Sequence, residues 1–120
     1  MSRFRSWSLV TAMTVGAFGC AGAPKPVAQL ASSEGSIRGA QEAGAANVPD
    51  AALHVKLAEE QRERALALIK DGENHRASMM LARSEADAEL AIAIARSANA
   101  ASEAQKAAET VDALKQKAAQ

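Results

Sequence analysis

The chain has 120 residues, with 14 basic and 14 acidic side chains and therefore no formal net charge. That balance excludes the concentrated basic face by which a protein holds nucleic acid. Phe4, Trp7 and Phe18 are its only aromatics, and their place at the extreme N-terminus excludes base stacking and aromatic sugar platforms everywhere downstream.

Met1 to Arg5 form a short basic stretch, Trp7 to Phe18 an apolar run, and Gly19-Cys20 follows directly. A basic n-region, an apolar h-region of about a dozen residues and a small residue before the cut describe a signal peptide. Residues 1–19 are read as that signal. Cys20, the only cysteine, resembles the lipid-accepting first residue of a mature bacterial lipoprotein, so it is the expected lipid attachment site. Ala21 after it is compatible with sorting to the outer membrane. Two alternatives stay open. Ala17 and Phe18 stand where lipoprotein signals carry leucine and a small residue, and an ordinary signal peptidase would accept Ala17 and Gly19. An uncleaved anchor is the other, although the run falls short of the roughly 20 apolar residues that a spanning helix needs. Because a lone free thiol is a liability in an oxidising compartment, a modified Cys20 is favoured.

Removing the signal leaves chain enough for one small domain, slightly acidic, free of aromatics and rich in alanine. Alanine is the best helix former and lets helices approach closely, but each buries little area. A slim, alanine-packed helical domain over residues 32–120 is expected. Residues 20–31, with Pro24 and Pro26, read as the lipidated N-terminus and a flexible tether. A first helix is read over about 28–46, its part within the domain being 32–46. Ile37, Ala40 and Ala43 recur at helical spacing, while Gly35, Gly39 and Gly44 weaken it. Asn47-Val48-Pro49 ends it.

A second helix is expected over 49–70, with Pro49 in its first turn and Asp50 near its positive end. Ala51, Val55, Ala58, Ala65 and Ile69 share one side, flanked by Leu57 and Leu68. On the other side Glu60 and Arg64 are spaced to pair, and Arg62 at the apolar edge is read as snorkelling. Asp71-Gly72-Glu73-Asn74 breaks the chain: Gly72 suits a left-handed stop, and Asp71 or Asn74 a cap. So short a connection predicts an antiparallel helical hairpin. The third helix, over about 74–118, contains neither proline nor glycine. Its apolar positions Ile94, Ala98, Ala101, Ala104, Ala108, Val111, Leu114 and Ala118 form a coiled-coil-like seam. Ile94, Ala98, Ala101, Ala108 and Val111 are the expected partner-facing residues, covered either by the first helix or by a second molecule. The fold expected is all-α: three helices, a hairpin of the second and third, and a long, partly unpaired third helix.

Ala43-Gly44-Ala45-Ala46 before Pro49, Leu57-Ala58-Glu59 with Ala65, the turn Lys70 to Asn74, and Asp87-Ala88-Glu89-Leu90-Ala91 form a pattern across about 36–98. This pattern resembles the DUF4398 family of bacterial lipoproteins, named for a domain of unknown function. The resemblance implies an all-helical envelope lipoprotein and carries over no catalytic or ligand residues.

The chemistry-bearing residues support no enzyme. Glu85 and Glu89 share a helix face and Arg83 is placed to pair with Asp87, which reads as a solvated face or as pairs with Arg62 or Arg64 on the second helix. His54 and His75 match no short metal-ligand spacing, and Met79 and Met80 read as gap-filling apolar residues. No serine sits in a nucleophile elbow, and the glycines form no phosphate loop. No cofactor, metal, nucleic acid or small-molecule substrate is expected. The membrane through a lipid, and a protein partner or a second copy, are the expected partners. The resulting expectation is a non-catalytic outer-membrane lipoprotein facing the periplasm, in a structural or adaptor role. The alternative is a soluble periplasmic helical-hairpin module, chaperone-like, for a protein or peptide.

Overall fold

The computed structural model describes residues 22–120. Residues 1–19, expected to be a signal, and Cys20, the expected lipid attachment site, lie outside the described residues. The elements are α1 (Val27–Glu42), a single 3-10 turn at Ala45–Asn47, α2 (Pro49–Lys70) and α3 (Asn74–Ala118). The described residues are all-α, with helices and turns and no strand.

α2 and α3 lie where the sequence places them. Pro49 opens α2 with its φ already helical and no N–H to leave unpaired, and Asp50 sits in the first turn. At the other end Glu73 N–H donates to Leu68 O at 2.8 Å and Gly72 N–H to Ile69 O at 3.1 Å. With Gly72 at φ 79°, these bonds are a Schellman stop, which satisfies carbonyls that the helix end would otherwise orphan. Neither Asp71 nor Asn74 caps α3, contrary to the sequence expectation: Glu73 holds the N-cap position, and no side chain bonds there. Asn74 instead donates from Nδ2 to Ala23 O at 2.6 Å.

That contact belongs to a second correction, the length of the tether. Residues 27–31, expected to be part of it, are helical, and Pro26 is buried. α1 starts at Val27, within one residue of the start read for it, and Leu30 packs beside the cluster of Ala65, Ala77 and Leu81, which offsets the cost of ordering this turn. α1 stops early. Gly44 adopts φ 81° and donates to Gln41 O at 3.0 Å, so the expected stretch to Ala46 is a turn followed by the 3-10 segment.

The three helices make one bundle in three layers. Ala65, Ala77 and Leu81 form the first, Ile37, Ala58 and Ala88 the middle, and Ala40, Ala45, Ala51, Ala91 and Ala95 the third. The order of these partners makes α2 antiparallel to α3, and α1 parallel to α3 in the cleft of the hairpin. In α3 the buried positions are Ala77, Leu81, Ser84, Ala88, Ala91 and Ala95, which step by four and three as a heptad seam does. Leu81 is the largest side chain that is fully buried. Ser84, also buried, donates to Ala58 O at 2.7 Å, so its hydroxyl enters the core with its hydrogen bond made.

The glycines of α1 differ in purpose. A Cβ at Gly39 would stand 3.3 Å from Ile92 Cδ1, whereas one at Gly35 would meet nothing within 4 Å. Gly39 therefore lets α1 approach α3, and Gly35 only loosens the helix. Gly35→Ala is expected to stabilise the protein by about 0.5–1 kcal/mol, read as a higher urea midpoint with an unchanged slope.

Candidate interaction surface

The buried seam of α3 continues past Ala95 through Ala98 to Ser102, Gln105, Glu109, Asp112 and Gln116. Polar side chains thus take over the face that α1 and α2 cover, and both partners stop there. The last bond across the bundle is from Asn99 Nδ2 to Ala43 O, at 3.1 Å. Beyond it every residue of α3 is exposed, and the side-chain bonds described there stay within the helix: Gln105 with Glu109, Thr110 with Lys106 O, and Lys115 with Asp112.

A second, mostly apolar stripe lies one residue before the buried seam, with Ser97 and Lys115 as its polar members. Leu90, Ile94, Ala101, Ala104, Ala108 and Val111 stand just ahead of Ala91, Ala95, Ser102, Gln105, Glu109 and Asp112. One residue is about 100° around a helix, so this stripe occupies the neighbouring face, and Ser97 interrupts its apolar run between the bundle and the projecting segment. Leu90 is 44% exposed, Val111 48% and Leu114 61%. Leu90 and Val111 are large apolar groups in water on this stripe, and Leu114 flanks it.

The structure divides the expected partner-facing residues. Ile94 and Ala98 are half-buried, and Ile94 packs beside the third layer. With Ala101 they line a shallow depression of about 530 Å³ that Val48 and Asp50 complete. Ala101, Ala108 and Val111 are exposed. Of the two covers expected for the seam, α1 reaches only the half of α3 that precedes Asn99. Leu90 was missed by the sequence reading, although its position just before Ala91 gives it away once the heptad register is known.

The polar pairings differ from those expected. Asp87 turns to α2 and not to Arg83: it takes His54 Nδ1 at 2.9 Å and Gln61 Nε2 at 2.7 Å. Arg62 does not merely snorkel, because it spans to Glu34 on α1 at 2.6 Å and to Glu63 at 2.9 Å. Glu85 accepts from Ser32 and pairs with no arginine, and no pair joins Glu60 to Arg64 among the described ion pairs. Met79 is 51% exposed, so only Met80 fills space, beside Leu81. His54 and Asp87 form a partly buried pair across the hairpin. No group of three or more metal-ligating side chains is found among the described residues, and no described helix is long and apolar enough to cross a membrane.

No known protein family matches the chain, and neither does any curated protein or solved structure.

Proposed function

We propose that the chain is a non-catalytic, lipid-anchored helical protein of the bacterial cell envelope, held at the outer membrane by Cys20 and serving as a structural or adaptor element in the periplasm. The observation that carries this reading is the apolar stripe of α3, which leaves the bundle uncovered at the end far from the N-terminus. An adaptor needs such a free face.

The geometry of attachment supports it. Only Ala21 and Gly22 separate Cys20 from Ala23, whose carbonyl is fixed to Asn74 at the foot of α3. An acyl chain on Cys20 would therefore sit near the α2–α3 turn. From there α3, at 45 residues, leads the stripe away over roughly 65 Å. Stable anchoring requires more than one acyl chain, which a diacylated cysteine supplies. The resemblance to DUF4398 lipoproteins points the same way, and membership of that family is part of the proposal. The alternative, a soluble hairpin module with a peptide groove, has less in its favour, because α1 fills the cleft between α2 and α3.

Labelled palmitate fed to expressing cells is expected to appear on the full chain and to vanish in Cys20→Ser. The variant should then leave the membrane fraction. Label retained by the variant, or absent from both chains, would sink the lipid reading.

A further inference from the structure

The exposed length of α3 carries a charge order that selects its own partner. Its first half holds Glu103, Lys106 and Glu109, and its second half Asp112, Lys115 and Lys117. The halves are therefore net negative and net positive, and an antiparallel second copy sets each half on its opposite. A parallel copy would set like on like, with Lys115 facing Lys115 across the stripe.

Side-chain sizes agree with the same alignment. When Ala101 lies opposite Ala118 of a second copy, Ala108 lies opposite Val111 and Ala104 opposite Lys115. Alongside the stripe, Ala107 lies opposite Leu114. Each large group meets a small one, as interdigitated helices require. The stem of Lys115 covers Ala104 of the other copy while its ammonium reaches Glu103 next to it. The overlap uses the whole naked segment. Ala118 ends α3, and Ala101 stands just past Asn99, where the bundle stops. Both bundles remain outside the contact.

The geometry points to self-association: two copies pair antiparallel through the stripe Ala101, Ala104, Ala108 and Val111, with Leu114 beside it. This inference rests on the adaptor reading and names its partner as a second copy of the chain. The pair is a rod whose two N-termini lie about 110 Å apart. With both acyl chains in one membrane, it lies along the surface.

Cysteine crosslinking in the full Cys20→Ser chain tests the alignment. Chains carrying Ala101→Cys and Ala118→Cys are mixed and oxidised, with Ala113→Cys, on the opposite face, as background. The 101–118 mixed dimer is expected well above either homodimer, and Val111→Asp is expected to lower it about tenfold, the equivalent of ~1.4 kcal/mol. An Ala101→Cys homodimer in excess, or yields no higher than those of Ala113→Cys, would overturn the proposal. The two readings fail separately. Loss of the palmitate label leaves the crosslink pattern untouched, and absence of the crosslink leaves a lipid-anchored adaptor with another partner.

Discussion

Leu81→Ala is expected to cost about 2–3 kcal/mol, the lower part of the range for a buried leucine. Leu81 is fully buried, whereas the other side chains of its layer core are Ala65 and Ala77. Truncation would leave the first layer without a large, fully buried side chain. The loss stays below the maximum because Leu30, Leu68, Ile69 and Met80 are only partly buried around it and can lean into the space. A domain of this size has a stability on the order of 5–10 kcal/mol, so the variant gives up a substantial share. Urea unfolding followed by circular dichroism reads it as a lower midpoint. Met79→Ala, at the neighbouring exposed position, is the control and should stay within about 0.5 kcal/mol of the parent. Equal effects of the two would show that the first layer is not packed as described.

Ala88→Leu tests the opposite limit. Ala88 has no exposed surface and meets Ile37 of α1 and Ala58 of α2 in the middle layer. Three helices converge there, and Ser84, one turn earlier, is bonded to the carbonyl of Ala58. A leucine would push α2 and α1 away from α3 and strain that bond. Overpacking of this kind costs about 1–3 kcal/mol or more. Since α1 contributes Ile37 as its one large buried side chain, the expected result is a lower midpoint together with faster amide exchange in α1 than in α2. Unchanged exchange in α1 would place that helix elsewhere than in the cleft.

Both variants act on positions that periodicity alone had marked. The face of α2 formed by Ala51, Ala58 and Ala65 was legible because a helical period is a local property, written in residues three and four apart. The stop at Gly72 was equally local, since only the backbone freedom of glycine makes the left-handed turn cheap. The candidate surface was legible in part. Ala101, Ala108 and Val111 are bare as expected, but Ile94 and Ala98 are claimed by the bundle. A stripe of alanines does not say where a covering helix ends. That end was set by Ser102, Gln105 and Glu109, which continue the buried register in polar form.

Pairing was the least legible feature. Asp87 finds His54 at a separation of 33 residues, and Arg62 finds Glu34 at 28. Arg83, one turn from Asp87, was the nearer candidate by sequence, but partners on facing helices depend on how the helices are rotated and shifted against each other. The first turn of α1 depends on the same fit, since Leu30 packs beside Leu81 across the interface. The sequence by itself determined the number of helices, the bounds of α2 and α3, the hairpin turn and which residues form apolar faces. All of these follow from short-range backbone geometry and side-chain period. Only the tertiary structure decided which faces meet, where α1 ends, and how much of α3 is left bare, because those outcomes depend on the simultaneous fit of three alanine-lined surfaces.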